Sequence, residues 1–363
     1  MKLTLKTEKL KEMVAKAVKG VGNNKLIPLT SLMAIELKDA TLTLITTDAT
    51  NYLYISEDKV VGEDFYVVVD ANVFSKLISK MTCEDVTLEI KSDITALQVK
   101  GNGTYKIELP LDENGEFIKY PDPVKKLDLS NATETTINRT TIQVILETVK
   151  PALAVTLENP CYTGYYIGDQ VVATDTYKIA SMDVKMFDKP RLISSEMLDL
   201  LAVIDTEKIN AYLTDNDVVF STPTCTVCGK LMEGIEDFAI DPIMGLVQTE
   251  FDSVCSVPKN ALLQLLDRLS LFVGPYDKNA IHLTFTSQGL QVSSKATNGI
   301  EMINYISSEN FKDFTCAIDI QMLINEVKAI SNDVIEIHYG EDNAIKMIDG
   351  NITIIVALLE DTE

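Results

Sequence analysis

One layout occurs three times along this chain, and it limits the possible folds more than any composition figure does. A short strand leads into an amphipathic helix, strands follow, then a second amphipathic helix, then more strands. The second helix makes the register visible: Val69-Asp70-Ala71-Asn72-Val73-Phe74-Ser75-Lys76-Leu77-Ile78, Ile193-Ser194-Ser195-Glu196-Met197-Leu198-Asp199-Leu200-Leu201, and Ile318-Asp319-Ile320-Gln321-Met322-Leu323-Ile324-Asn325-Glu326-Val327. These segments start about 124 and about 125 residues apart, a domain-sized period that indicates duplicated domains and not a solenoid. The expected division is residues 1–122, 123–246 and 247–363. Strands outnumber helices in each part, so each is expected to be α+β, two helices packed on antiparallel sheets. Similar domains joined end to end can curve into a closed assembly.

The helices are legible from spacing. Leu10, Met13, Val14, Ala17 and Val18 recur at helical intervals after Thr7, a plausible cap, and Gly20 with Gly22 supplies a stop. The matching helix of the second part is expected over Thr140–Leu153, with Pro151 near its end as a source of a kink. That of the third part runs over Lys259–Phe272 on Leu262, Leu265, Leu266 and Leu269. Asn102-Gly103 reads as a hairpin turn and Tyr120-Pro121-Asp122-Pro123 as a linker.

Chemistry is sparse. The two histidines, His282 and His338, sit in strand patterns, and no Ser-His-Asp set, P-loop or dinucleotide fingerprint can be assembled, so no catalytic residue is assigned. Cys225-Thr226-Val227-Cys228 is a lone CxxC; zinc needs four ligands, and the alternation suits a strand, so neither a metal nor a cofactor is expected. Six scattered cysteines, no apolar run of membrane-spanning length and no signal-peptide core give a cytoplasmic expectation. The net charge of −22 argues against phosphate binding on an open surface.

At Val172-Ala173-Thr174-Asp175-Thr176-Tyr177-Lys178-Ile179-Ala180 the chain resembles the bacterial sliding clamps, the β subunits of DNA polymerase III, which carry an Ala-Thr-Asp-Gly-His-Arg-Leu-Ala-like stretch in their middle domain. Ile27-Pro28-Leu29, Thr47-Asp48, Lys230-Leu231-Met232-Glu233-Gly234 and Leu266-Asp267-Arg268-Leu269-Ser270 resemble further family stretches, in order along the whole length. Thr176 and Tyr177 stand where the family has Gly-His. Ile235-Glu236-Asp237-Phe238 replaces its Phe-Pro-Asp-Tyr, and Ile355-Val356-Ala357-Leu358-Leu359 before Glu360-Asp361-Thr362-Glu363 replaces its Met-Pro tail.

The resemblance implies a non-catalytic subunit: three tandem clamp-type domains, and a head-to-tail homodimer closing six domains into a ring around double-stranded DNA. A ring holds DNA topologically, which removes the charge objection. Its inner wall is expected to carry Lys9, Lys16, Lys19, Lys25, Lys76, Lys80, Arg139, Lys150, Lys259, Arg268 and Lys328, residues that also suit plain solvated helix faces. A pocket for peptides of a DNA polymerase, a clamp loader and other proteins is expected from Tyr162, Thr174, Thr176, Tyr177, Lys178, Ile179, Ile240, Ile354, Val356 and Leu358, where Ile354 and Val356 read equally well as strand core. The subunit interface is expected to join Tyr105, Ile107 and Leu109 to Leu271, Phe272 and Tyr276. The competing reading is a non-ring interaction scaffold built from the same domains. A hydrolase with an unrecognised site is a third.

Overall fold

A computed structural model describes residues 1–91, 95–124, 127–294, 298–340 and 343–360; the last three residues of the acidic tail, 361–363, lie outside this set. The chain forms two compact units, Met1–Ile142 with Glu196–Leu231, and Gln143–Ser195 with Met232–Glu363.

Both units follow one plan, a four-stranded sheet and a longer one. In the first unit the four-stranded sheet runs β1 (Lys2–Lys6), β6 (Asp85–Ile90), β7 (Ala96–Lys100), β8 (Thr104–Glu108). Its eight-stranded sheet runs β5 (Phe65–Asp70), β2 (Leu32–Lys38), β3 (Thr41–Thr47), β4 (Asn51–Glu57), β16 (Cys225–Lys230), β15 (Asp217–Ser221), β14 (Lys208–Leu213), β9 (Thr133–Asn138). The second unit has a nine-stranded sheet in the order β13 (Arg191–Ser194), β10 (Gly164–Ile167), β11 (Val171–Thr174), β12 (Lys178–Met182), β25 (Ile352–Ala357), β24 (Ala344–Asp349), β23 (Val334–Tyr339), β17 (Ser253–Pro258), β21 (Ser307–Glu309). Its four-stranded sheet runs β20 (Ile300–Ile303), β19 (Gly289–Ser294), β18 (Ala280–Thr286), β22 (Phe314–Asp319).

Each long sheet is closed by an antiparallel seam between segments far apart in the chain. β4 pairs with β16 (Ile55 opposite Cys225), and β12 with β25 (Ile179 opposite Ile355). These seams explain the composition of the units. Strands from the middle of the sequence are shared out between two sheets, so compactness follows hydrogen-bonded continuity and not chain order.

The helices are α1 (Thr7–Ala17), α2 (Ala71–Ser79), α3 (Arg139–Val144), α4 (Ser195–Leu201), α5 (Ile240–Gln248), α6 (Lys259–Leu269) and α7 (Ile320–Ala329). The apolar stripes read from the sequence are the buried ones: Leu10, Met13, Val14 and Ala17 on α1, and Leu262, Leu265, Leu266 and Leu269 on α6. Burying each leucine contributes about 1.5–3 kcal/mol. α1 packs on α2 and α6 on α7. The repeated strand-to-helix signature has a capping reason in two of its copies. Asp70 accepts from Val73 N–H at 2.8 Å, and Asp319 from Gln321 and Met322 N–H at 2.7 and 3.1 Å. Each thereby satisfies amide donors that a helix start leaves without partners.

Three expectations need correction, and one element was missed. Thr7 is not a cap: it is the first helical residue, buried, with its hydroxyl 3.5 Å from Cys83 Sγ. The helix expected over Thr140–Leu153 is α helix only to Val144, then a π turn over Ile145–Val149 and a 3-10 turn over Lys150–Ala152. Pro151 offers no N–H, so a regular i to i−4 ladder cannot continue through it. The linker at Tyr120-Pro121 is not a solvated tether. Tyr120 is buried in a cluster with Leu32, Ala34, Tyr54, Val68, Val219 and Cys228, and Ile118, Val124, Leu127 and Leu129 pack against the same cluster. Finally, α5 was not foreseen. Its sequence, Ile-Asp-Pro-Ile-Met-Gly-Leu-Val-Gln, combines a proline and a glycine and gives a weak helical signal.

Candidate functional site

The stretch that carries the family resemblance folds as a tight turn between β11 and β12. Thr174 Oγ1 accepts from Thr176 N–H at 3.0 Å and donates to Lys178 O at 2.7 Å. Asp175 Oδ1 accepts from the amides of Tyr177 and Lys178, both at 2.9 Å. The frame holds Thr176 at φ 78°, a left-handed conformation disfavoured for a β-branched residue. Tyr177 projects from the tip, 62% exposed, while its carbonyl accepts from Ala357 N–H at 2.8 Å.

Beyond the turn, the strand splits its residues between two faces. Ile179 faces a cluster with Cys161, Val172, Leu192, Phe238, Ile243 and Ile355, onto which Tyr162, Tyr166, Met232, Ile240, Met244, Val247 and Ala344 pack. Phe238 sits between two tyrosines, its ring centre 5.2 Å from those of both Tyr162 and Tyr166. The chain enters this cluster through two glycines whose positions disfavour a side chain. A Cβ on Gly164 would lie 2.8 Å from the backbone oxygen of Ile193, and Gly234 adopts φ 82° ahead of the turn Ile235–Asp237. α5 then lies over the cluster. Lys346, across from Ile355, donates to Thr249 O at the end of α5 and lies 5.1 Å from the centre of the Phe251 ring. A cation there favours the negative end of the helix dipole, and burial pushes its ammonium pKa down.

Of the residues expected in a partner pocket, the structure therefore gathers Tyr162, Ile179 and Ile240 in one apolar cluster, with Thr174, Thr176 and Tyr177 on the adjoining turn. Leu358 is half-buried just past β25. Lys178, Ile354 and Val356 are corrected. Lys178 pairs with Val356, and Ala180 with Ile354, so all three lie on the face opposite Ile179 and Ile355. Ile354 and Val356 are fully buried core. On that inner face Lys178 Nζ is 3.2 Å from Glu326 Oε1 of α7 and 3.8 Å from Asp175 Oδ2, and donates to Pro151 O. Burial pushes the Glu326 carboxyl above its ordinary range, an effect that Lys178 opposes. Phe238 and Ile355 lie in the two stretches read from the sequence as departures from the family pattern, whereas sequence reasoning missed Ile243, Met244 and Val247. Only the helical spacing of Ile243 and Val247 could have signalled any of them.

The basic residues fall into two groups. Lys9 pairs with Glu57 at 2.8 Å, Lys16 bonds Glu12 at 2.8 Å and also Asp205, and Arg268 grips Glu301 through two bonds of 2.8 and 2.5 Å. Lys259 donates to the Lys328 and Ile330 carbonyls at the end of α7, and Lys150 also has a partner. Lys19, Lys25, Lys76, Lys80 and Lys328 are exposed, and Arg139 is half-buried.

Among the described residues, each four-stranded sheet ends in a strand without a further paired neighbour, β8 in one and β20 in the other. On β8 Tyr105 is exposed, whereas Ile107, and Leu109 just past the strand, are buried, so two of the three expected contact residues there are core. Leu271, Phe272 and Tyr276 are exposed in the turns after α6. Edge strand β20 adds exposed Ile300 and Met302, which the sequence reading passed over. Cys225 and Cys228, three apart on β16, face opposite ways, and burial pushes both thiols up to about 12. Among the described residues no group of three or more His, Cys, Asp or Glu is placed to hold a metal ion, and no helix is long and apolar enough to cross a membrane.

Residues 1–119 match the family model of the DNA polymerase III beta subunit, N-terminal domain. None of the curated proteins matches the chain. Among solved structures, the beta subunit of the DNA polymerase of Streptococcus pyogenes is similar at 15% identity and TM-score 0.87, covering 99% of this chain and 100% of that one. The DNA polymerase sliding clamp of Bacillus subtilis follows at 16% identity and TM-score 0.84, covering 99% of both chains. The sliding clamp of Bartonella birtlesii, solved bound to griselimycin, is 14% identical with TM-score 0.83, covering 99% of this chain and 100% of that one. The resemblance read from the sequence thus holds as a family match over the first 119 residues and as the three-domain α+β clamp fold over the whole length.

Proposed function

We propose that this chain, a divergent protein of the DNA polymerase III beta-subunit type, is a DNA sliding clamp: a processivity factor that encircles duplex DNA and tethers a polymerase, a clamp loader and other partners, itself performing no chemical step. The observation that carries the reading is the full-length clamp fold combined with two strands at sheet ends, β8 and β20, that bear exposed apolar side chains. Open edges favour matching with another chain. Three repeats, divided near residues 122 and 246, would supply half of a six-domain ring, and a head-to-tail dimer would close it with β8 of one copy on the third repeat of the other. The compartment that suits this role is the cytoplasm.

Encirclement needs only a wall that does not repel DNA, so a net charge of −22 is no obstacle. Lys19, Lys25, Lys76, Lys80 and Lys328 are the side chains available for weak, mobile phosphate contacts. Lys9, Lys16 and Arg268 would first have to leave carboxylates. Partner peptides would dock on the Tyr177 turn and the Phe238–Ile355 cluster beneath α5, where apolar groups rimmed by polar ones suit an extended apolar segment.

The test is retention on nicked circular DNA. The expected result is loader-dependent retention that is lost when the circle is cut, with a dimer in sedimentation at micromolar concentration. A non-ring scaffold built from the same domains would give binding indifferent to linearisation, or a monomer throughout, and either result would overturn the ring.

A further inference from the structure

We propose that Lys178 is a positioning residue: anchored by Glu326 and the Pro151 carbonyl, it sets the pose of the exposed Thr176–Tyr177 tip and ties the partner surface to α7 beneath it. The inference deepens the partner-site reading and rests on it.

Lys178 cannot act by touching a partner. It is 8% exposed and lies on the sheet face opposite Ile179 and Ile355. Its side chain leaves the root of the turn and ends among three anchors from three different segments: Glu326 Oε1 at 3.2 Å, Asp175 Oδ2 at 3.8 Å, and Pro151 O. Two of these belong to a layer that is itself tied together, because Thr148 Oγ1 donates to Ala329 O at 3.1 Å, joining the π turn to the end of α7.

Glu326 has no simpler explanation. It is fully buried on an α7 face otherwise made of Ile320, Leu323, Ile324 and Val327. Among the described residues its carboxylate oxygens have no hydrogen-bonding partner other than the Lys178 ammonium, 3.2 Å from Oε1. A buried ion pair of this kind is weak evidence for stability, because a packed apolar pair often does as well; its best-attested use is to fix one arrangement among several. Here the arrangement fixed is the turn. Lys178 contributes both the amide that Asp175 holds and the carbonyl that Thr174 holds. Displacing its side chain therefore displaces the frame that puts Thr176 in its left-handed conformation and projects Tyr177 outward. The supporting shell decides the precision of a recognition group it never replaces.

The chain contains no tryptophan, so Tyr177→Trp places the single indole on the tip, excited apart from the tyrosines at the red edge of the absorption band. In the full-length chain carrying that reporter, acrylamide quenching of residue 177 is compared among Lys178, Lys178→Met, Lys178→Arg and the double variant Lys178→Met/Glu326→Met. In the Tyr177 background, affinity is measured for a labelled hexapeptide with leucine and phenylalanine at alternate positions. The expected result is altered quenching in Lys178→Met and in the double variant, with affinity lowered about tenfold as the competent turn becomes a minority conformation, and both readouts retained by Lys178→Arg. The double variant, whose buried pair is apolar, keeps the test decisive if Lys178→Met alone does not fold. A folded double variant with quenching and affinity like the parent would overturn the proposal and make the pair merely structural. If the parent chain binds no such peptide, the partner-site reading fails, while quenching still decides whether Lys178 positions the tip.

Discussion

The turns Thr47–Asn51 and Thr174–Lys178 are built on the same frame and put to different uses. In the first, Thr47 Oγ1 donates to Asn51 O at 2.6 Å and accepts from Ala49 N–H at 3.0 Å, while Asp48 Oδ1 accepts from the amides of Thr50 and Asn51 at 2.8 and 2.7 Å. Bond for bond this is the pattern of Thr174 and Asp175, down to the left-handed third residue, Ala49 at φ 91°. Each turn feeds the strand that forms its unit's long-range seam. The fifth residue separates them. Asn51 is neutral and closes on its own turn, Nδ2 to Asp48 Oδ2 at 2.9 Å, against a Gly229 where a Cβ would lie 2.5 Å from Asn51 Oδ1. Lys178 is charged and reaches out of its turn into the helix layer. The tips differ too, Ala49-Thr50 against Thr176-Tyr177. One turn is self-contained; the other is braced from below and presents an aromatic ring. A duplicated frame can thus be specialised by changing the residues that do not make the frame.

The largest effect that can break this comparison is expected from Lys178→Met, which strands a buried carboxyl at a cost of about 3–5 kcal/mol where Glu326 is ionised. The cost has a pH sign. The folded Glu326 pKa is raised by burial from an ordinary value of 4.5, so its favourable contribution is present below that value and is lost as pH rises through the folded one. Lys178 and Asp175 are the charged groups that bear on it, and removing Lys178 raises the folded value further. Urea midpoints should therefore show Lys178→Met more damaging at pH 8 than at pH 5, with the trend abolished by adding Glu326→Gln. Asn51→Ala should show no such trend, and equal pH behaviour of the two turns would erase the distinction.

Next come the shared hydroxyls. Thr47→Val and Thr174→Val each remove one donor and one acceptor in a buried frame, and each is expected to cost about 1–3 kcal/mol in the same denaturation experiment. Unequal costs would show that the frames are alike in geometry only. Smaller, and opposite in sign, are Ala49→Gly and Thr176→Gly, which relieve a left-handed backbone. Gains of up to about 1 kcal/mol are expected, larger at the β-branched threonine, read as an upward shift of the melting temperature. The smallest effect is expected at the exposed pair Arg268–Glu301, where the guanidinium holds the Glu301 carboxyl below its ordinary range. Screening by water and salt leaves Arg268→Gln within the error of a urea midpoint, in contrast with the buried pair at Lys178.

Legibility in the sequence tracked how local each signal was. The stripes on α1, α6 and α7 and the hairpin turn at Asn102 depend on neighbours within a turn or two, and they could be read off directly. Thr174-Asp175 was picked out through resemblance, and the reason it matters, a turn frame made by its own side chains, is equally local. The covering role of Tyr120 and of α5 was not legible, since a linker with two prolines and a helix with a proline and a glycine give little periodic signal. Nor was the engagement of Lys9, Lys16 and Arg268 by carboxylates, as Glu57, Asp205 and Glu301 approach only through the tertiary fold.

By itself, then, the sequence determined the threefold layout, the α+β class and the places where strands hand over to helices, because capping and periodicity act over a few residues. Only the tertiary structure decided which side of β12 and β25 each residue takes. Lys178 through Met182 are all buried, as are Ile354, Ile355 and Val356. Strands covered on both sides lose the alternation of apolar and polar residues that marks an inner face, so the sequence does not tell their two faces apart. The seam between Ile179 and Ile355, formed across more than a hundred residues of chain, is what turned Lys178 inward and left Tyr177 facing solvent.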